Sequence, residues 1–140
     1  MSITSFFEQL GAPLANARWS WGGVTQNGKV VLRTWQDEIE QIDNSRYMRV
    51  TRHAVFAHDL GDLGYQERLR QLELIQSGSA SMMVMCLAVD VAAIPRDILS
   101  YDRRDLFVGG KLQLIDGDLW LQMVARIPFA EAQRRCKEQA

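Results

Sequence analysis

Apolar and polar positions alternate along two parts of the chain and predict two β-hairpins, each closed by a residue pair that favours a tight turn. Asn27-Gly28 and Asp116-Gly117 both fit a two-residue type I′ turn, because both central residues of such a turn need a positive φ. A two-residue loop fixes the register, so that Val24 is expected opposite Val31. The chain is therefore expected to contain at least four antiparallel strands.

The faces of these hairpins place one tryptophan of each beside polar side chains. Trp35 shares a face with Arg33, whereas Trp21 falls on the more apolar face of the first hairpin. Trp120 shares a face with Gln113, and the leucines take the opposite face. Tryptophans also serve as core residues, and a β-bulge at a Gly-Gly pair would change these faces. The two polar-face tryptophans nevertheless make a binding surface the leading interpretation.

The rest of the chain is expected to add helices and further strands. Ser5 and Glu8 have the spacing of a capping box, which predicts a short helix that ends at Gly11. The run 46–52 alternates as a strand. Residues 82–90 form a nearly continuous apolar run, typical of a central strand covered on both faces. The stretches 37–45 and 100–104 are interpreted as polar connections, the second hairpin as 105–126, and 129–137 as a closing helix.

Helical spacing predicts the longest helix from Asp62 or Gly64 to Gly78. Its expected buried stripe consists of Tyr65, Leu69, Leu72 and Ile75. Its expected solvent-facing side consists of Glu67, Arg70, Gln71 and Glu73. This order of elements predicts an α+β domain spanning residues 1–140. Its sheet is expected to be twisted and mostly antiparallel, with five to six strands, or a half-open small barrel, accompanied by two to three helices.

Composition narrows the classes of partner. The net charge of −1 gives no overall attraction to a polyanion, so nucleic-acid contact would need a local patch. Arginine outnumbers lysine 13 to 3, which suits planar contacts with phosphates or bases. The alternative explanation is a GC-rich genome, which favours arginine codons. The start of the chain lacks a secretory signal, and no apolar run is long enough for a bilayer. We expect a cytoplasmic protein without a membrane association.

Candidate chemistry points to binding. Cys86 and Cys136 lie in no metal or redox spacing, which indicates two free thiols in a reducing compartment. The pair His53 and His58, near Asp59, has no diagnostic metal-ligand spacing, so we expect neither a metal nor another cofactor. The chain has no G-x-S-x-G, P-loop, dinucleotide or H-E-x-x-H motif, and a non-catalytic role is favoured.

Two groups of arginines are candidate phosphate contacts. The first consists of Arg46, Arg49 and Arg52 on a predicted strand, where charge would also serve to keep an exposed edge soluble. The second consists of Arg103 and Arg104, which follow Tyr101 in a loop whose aspartates largely cancel the charge. Tyr101 is a candidate for stacking on an unpaired base.

Tryptophan-bearing first strands, an internal helix and a late hairpin preceded by Tyr101-Asp102-Arg103-Arg104 together make the chain resemble the PUA-like superfamily of small barrels. Members such as EVE, YTH and SRA domains recognise RNA or modified bases, often with an aromatic cage or by accepting a flipped base. The resemblance implies a base pocket walled by Trp35 and Trp120, with Trp21 in its floor or in the core. Arg33 and the first arginine group would then position phosphates of DNA or RNA.

Two other classes of function fit the same residues. Exposed tryptophan beside arginine is typical of interface hot spots, so the domain is alternatively a protein-interaction or homo-oligomeric assembly module. A small-molecule-binding barrel, or an enzyme of unrecognised type, is the third interpretation.

Overall fold

The computed structural model describes residues 1–56 and 61–138. Within them the elements are, in chain order, α1 (Ile3–Leu10), β1 (Gly22–Val24), β2 (Val30–Trp35), a 3-10 turn (Gln36–Glu38), β3 (Ile39–Ile42), β4 (Ser45–Arg49), α2 (His53–Phe56), α3 (Leu63–Gln76), β5 (Ser81–Ala88), β6 (Ile98–Tyr101), β7 (Asp105–Ile115), β8 (Asp118–Pro128) and α4 (Phe129–Lys137). No helix in these two ranges has the length and apolar character needed to cross a bilayer.

The strands form one open sheet of eight strands in the order β1-β2-β5-β7-β8-β4-β3, with β6 beside β5. Only β2 and β5 of these strands run parallel, and α3 lies in the long connection between them. The α+β class and the mostly antiparallel sheet are confirmed. The predicted five to six strands are too few, and the sheet does not close into a barrel.

Helices cover both faces of the central strand β5. On one face, α1 and α4 pack Phe6, Phe7 and Ala132 against a cluster that includes Val84. On the other, α3 packs Leu72 against a cluster built from β2, β4, β5 and β8. Burial of each large apolar side chain contributes about 1.5–3 kcal/mol, so these two clusters supply most of the stabilisation. The prediction of a doubly covered strand is confirmed.

The first hairpin has a longer loop than predicted. Val24 pairs with Val30, not Val31, so the expected register is wrong by one residue. Thr25 N–H donates to the Lys29 carbonyl at 2.8 Å, and Gly28 has φ 83°. The Thr25 hydroxyl also accepts from the Lys29 amide at 2.9 Å. These bonds favour a three-residue loop ending in a left-handed glycine over the type I′ turn.

The second hairpin has the predicted turn. Asp116 and Gly117 have φ 51° and 86°, and Gln113 lies opposite Trp120. The register shifts on both sides of Gly109, at the Gly-Gly pair where a bulge was considered. The bulge changes facing only beyond the pair, so Trp120 keeps the facing predicted from the turn.

Several element bounds differ from the predictions. The first helix begins at Ile3 because the Ser2 hydroxyl, and not that of Ser5, caps it by accepting from the Ser5 amide at 3.1 Å. The supposed polar connection 37–45 contains β3, whose backbone pairs with β4 despite its polar side chains. The strand predicted for 46–52 ends at Arg49, and β6 occupies the start of the supposed loop 100–104.

The polar side of α3 is also corrected. Glu67 and Gln71, expected in solvent, are buried, whereas Leu69 is exposed. Glu67 accepts from the Ser20 hydroxyl at 3.1 Å, and the Gln71 amide donates to the Gly22 carbonyl at 3.2 Å. Residues 20–22 lie over this side of the helix and supply polar partners, which makes the burial of both side chains possible.

We predict that Leu121→Ala lowers the free energy of unfolding by about 2–5 kcal/mol, because Leu121 is 0% exposed in the second apolar cluster. Leu114→Ala is the matched control from the same hairpin, since Leu114 is 72% exposed; its effect should stay within about 0.5 kcal/mol. Urea unfolding of both variants measures the difference. Equal losses would show that burial does not differ between these two positions on the leucine face of the hairpin as described.

Candidate ligand-binding cavity

A cavity of about 90 Å³ lies where β2 and β4 end, bordered by α2, α3 and the loop after β5. One water needs roughly 10–15 Å³ of such space, so the cavity has room for several waters. The lining side chains are mainly aromatic or cationic. They are Trp21, Arg33, Trp35, Glu38, Arg49, Val50, Thr51, Arg52, Phe56, Tyr65, Arg68, Ala93, Ile94, Pro95 and Arg96.

The buried side chain of Arg68 joins the parts of the chain that surround the cavity. Its Nη1 donates to the Val50 carbonyl at 3.0 Å. Its Nη2 donates to the carbonyls of Trp21 and Arg33 at 3.1 and 2.6 Å. Arg33 lies in β2 and Val50 follows β4, strands that are separated by three others in the sheet order. One guanidinium from α3 therefore connects two distant parts of the sheet.

Three aromatic rings form one wall of the cavity. The Trp21 ring centroid lies 5.2 Å from that of Phe56 and 6.1 Å from that of Tyr65. Phe56 and Tyr65 stack at 4.9 Å with an interplanar angle of 20°. The helix approaches Trp21 closely because position 64 is glycine; a Cβ there would lie 2.5 Å from the indole nitrogen. Burial, followed by the Asp118 charge, raises the pKa of Tyr65, so its hydroxyl stays protonated at neutral pH.

A second wall is organised around the buried carboxylate of Glu38. Arg49 Nε donates to Glu38 Oε2 at 2.7 Å, and the guanidinium groups of Arg96 and Arg52 lie 3.4 and 3.8 Å from Oε1. Arg96 also binds both oxygens of Asp37 at 2.8 Å. Arg96 thereby ties the loop after β5 to the 3-10 turn.

Trp35 lies between these charges and the apolar core. The Arg96 guanidinium carbon is 5.4 Å from the centroid of its ring, a distance typical of a cation–π contact. Trp35 also packs against the first apolar cluster, while it remains partly exposed. The cavity thus has indole rings from two different segments of the chain, Trp21 and Trp35.

Two of the lining cations have no carboxylate within 4 Å in the described part of the chain, Arg33 and Arg68. Burial lowers the pKa of both, and the nearby Arg33 charge helps to bring that of Arg68 to about 10. Both therefore stay protonated at neutral pH. The cavity carries more positive than negative charge, although the whole chain has a net charge of −1.

The structure brings five of the predicted site residues together. They are Trp21, Arg33, Trp35, Arg49 and Arg52. Trp120 does not line the cavity. It is only 8% exposed, because β4 pairs with β8 beside it and the Arg49 guanidinium carbon lies 6.0 Å from its ring centroid.

The remaining predicted residues lie away from the cavity. The Tyr101 hydroxyl donates to the Met1 carbonyl at 2.7 Å, and the Arg103 guanidinium carbon lies 5.0 Å from the Tyr101 ring. Arg104 and Arg46 are exposed and do not contribute to the lining. Tyr101, Arg103 and Arg104 thus form a separate surface near the chain start.

Ten lining residues were not among the sequence candidates, and five of these ten have charged or aromatic side chains: Glu38, Phe56, Tyr65, Arg68 and Arg96. Arg68 was visible as a charge intruding on the apolar stripe of a predicted helix, which is a signal for a buried polar role. The others come from a turn, a short helix, an apolar helix position and a loop. Nothing in their sequence spacing indicates that they meet.

No group of three or more metal-ligating side chains occurs in residues 1–56 and 61–138. The suggested histidine pair includes His58, which lies with Asp59 outside the described residues, and His53 is exposed. Cys86 and Cys136 are free and buried, and burial raises the pKa of each thiol to about 11. Both thiols are therefore protonated at neutral pH, which is unsuited to nucleophilic attack.

A second cavity of about 620 Å³ lies between the loop of the first hairpin and the end of α4. Its lining in the described residues contains no aromatic ring. The smaller aromatic cavity is therefore the stronger candidate site.

The chain matches no family model, no curated protein and no solved structure. The likeness to the PUA-like superfamily stays a prediction. Any assignment of function depends on the chemistry of the aromatic cavity.

We predict that Arg68→Met destabilises the fold by about 2–6 kcal/mol, because the Val50 and Arg33 carbonyls lose this donor, at about 1–3 kcal/mol for each group left unsatisfied. The Trp21 carbonyl still accepts from the Arg33 amide at 2.8 Å. Arg70→Met on the same helix is the control, since Arg70 is exposed and should change stability by less than about 0.5 kcal/mol. Chemical denaturation measures both. If the Arg68 variant is as stable as the control, the three hydrogen bonds do not hold the fold around the cavity.

Proposed function

We propose that the chain is a non-catalytic binding domain that accepts a planar group of a nucleic acid, an unmodified or modified base, in the aromatic cavity. The observation that carries the proposal is the meeting of four aromatic rings with five arginines around one cavity of about 90 Å³. Aromatic side chains stack on any base, and arginine binds phosphates and base edges with its planar donors.

The arginines with the most accessible side chains supply the expected phosphate contacts. The side chains of Arg49 and Arg52 are 30% and 25% exposed, and both line the cavity beside Glu38. A phosphate next to an inserted base would meet these groups, while the base would meet Trp21 and Trp35. This is a local basic patch of the kind that a chain with no overall positive charge needs for nucleic-acid binding.

The proposal includes the likeness to the PUA-like superfamily and the base pocket that this likeness implies. The aromatic cavity at the strand ends is the feature that favours this likeness, whereas the open sheet differs from a small closed barrel and Trp120 would not be a wall of such a pocket. We expect the domain to act in the cytoplasm on DNA or RNA.

A protein-interaction role is the second candidate, and a different observation favours it. Between β5 and β6, residues 87–99 expose several large apolar side chains: Leu87, Val89, Val91, Ile94 and Leu99. Clusters of this kind mark interaction surfaces. None of the tryptophans is among the exposed large apolar side chains of the described residues, so this surface would be aliphatic and would not use the tryptophans. Sedimentation over a range of protein concentrations tests whether copies of the chain associate through this segment.

We predict that Trp35→Leu weakens binding of short single-stranded DNA and RNA oligonucleotides by about 5- to 150-fold, because stacking contributes about 1–3 kcal/mol per base. Leucine keeps apolar packing against the core, so the fold should persist. Trp19→Leu is the matched control, since Trp19 is partly exposed and does not line the cavity. Fluorescence anisotropy at low salt measures both affinities. Equal affinities for the two variants would contradict the proposed site.

We also predict that Arg52→Gln weakens the same binding about three- to tenfold and reduces the salt dependence of the affinity by about one phosphate contact. Arg104→Gln is the control, because Arg104 is exposed away from the cavity and should leave the affinity unchanged. Titrations at several salt concentrations separate the two variants. A loss of affinity confined to the Arg104 variant would contradict the proposal and would indicate that the phosphate contacts lie on the surface around Tyr101.

A further inference from the structure

The charges around the cavity do not balance. Arg49, Arg52 and Arg96 lie within 4 Å of a carboxylate, and all three share Glu38. Arg33 and Arg68 have no such partner in residues 1–56 and 61–138. The cavity is therefore lined by two cations that form no ion pair with the surrounding described side chains.

We propose that the ligand inserted in the cavity carries its own negative charge, on or directly beside a planar aromatic ring, and that this charge binds Arg33. This inference rests on the proposed binding of an aromatic group in the cavity and specifies its chemical class. The anion has two possible sources: an acidic substituent on the ring itself, or the phosphate attached to the same nucleotide.

Arg33 has donor capacity for such an anion. Its only side-chain hydrogen bond in the described structure runs from Nη1 to the Ser20 carbonyl at 3.0 Å. Its Nε is buried without a partner, whereas Nη2 is not among the buried unpaired atoms. A guanidinium with one neutral partner can still make a charge-assisted bond, which is about twice as strong as a neutral one.

The position of Arg33 fits a ligand that combines a ring and a charge. Arg33 and Trp35 are two residues apart in β2, so their side chains leave the same face of the strand. Both line the cavity. A ring that contacts Trp35 would thus hold a short acidic group close to Arg33.

Arg68 strengthens the expected preference for an anionic ligand without contacting the ligand itself. Both of its Nη atoms donate to backbone carbonyls, while its Nε is buried without a hydrogen-bond partner, so its role is a fixed buried charge next to Arg33. The Glu67 carboxylate is buried, accepts from Ser20 and attracts the Arg68 charge, but it forms no ion pair with Arg68 within 4 Å. The Cys86 thiol also faces both arginines, and its raised pKa of about 11 keeps it neutral.

A neutral ligand would leave both buried charges without an ion-pair partner, whereas an anion would interact favourably with both in a poorly solvated site. The expected consequence is selection by charge among ligands of similar shape.

The test compares four probes by isothermal titration calorimetry at low salt: thymidine, thymidine 5′-monophosphate, uracil-6-carboxylate and inorganic phosphate. We expect at least one anionic ring compound to bind about tenfold or more tightly than thymidine. Tight binding of the carboxylate places the charge on the ring, and tight binding of the monophosphate places it on the attached phosphate. Inorganic phosphate should bind weakly, because it has no ring to stack.

Arg33→Gln should abolish this preference, and Arg33→Lys should keep part of it because the charge remains. Arg46→Gln is the control, since Arg46 is exposed outside the cavity. Circular dichroism and urea unfolding of the variants establish that they are folded; the lysine variant provides the comparison if the glutamine variant is not. Equal binding of thymidine and both anionic ring compounds, or a preference that survives Arg33→Gln, overturns the inference.

The outcomes also separate this inference from the proposed function. Oligonucleotide binding that needs Trp35 but shows no charge preference among the small probes overturns the inference alone. Anionic ring compounds that bind through Arg33 without any oligonucleotide binding support the inference and overturn the nucleic-acid proposal, which makes the cavity a small-molecule site. Binding of neither class overturns both.

Discussion

The hydrogen bonds of the buried Arg68 guanidinium to three backbone carbonyls are the interaction on which the cavity depends. The sheet is open, and the strand ends near Arg33 and Val50 are not paired with each other. Arg68 reaches both from α3, and Gly64 allows that helix to approach Trp21. A cation buried without a carboxylate is costly, and carbonyl dipoles offset this cost only in part.

The same arrangement supplies the chemistry of the candidate site. The side of α3 that faces residues 20–22 is polar, so its packing contributes little hydrophobic stabilisation. In return, the cavity gains a fixed positive charge beside Arg33 and an aromatic wall that includes Tyr65. Features that break the rules of core packing are common at functional sites. The charge imbalance and the aromatic lining of the cavity therefore both result from the way α3 packs against residues 20–22.

The sequence correctly predicted features that depend only on residues close together in one strand, such as which side chains share a face. Arg33 and Trp35 share a face of β2 by alternation alone, so that prediction survives the register error in the first hairpin. The facing of Trp120 was also predictable from its turn, but not its burial, because β4 pairs beside it from a distant part of the sequence. Likewise, no local pattern indicates that Glu38, Phe56 and Arg96 meet, since a turn, a short helix and a loop contribute them.

The central claim is that ligand enters the cavity held by Arg68, and the indole resonances of the four tryptophans test it most directly. We would record ¹⁵N–¹H correlation spectra, assigned by single Trp→Phe substitutions, while titrating a short single-stranded oligonucleotide and then thymidine 5′-monophosphate. The account predicts that the Trp21 and Trp35 indoles shift progressively while that of Trp120 stays in place. Shifts confined to Trp120, or a titration that moves none of the four, would contradict it.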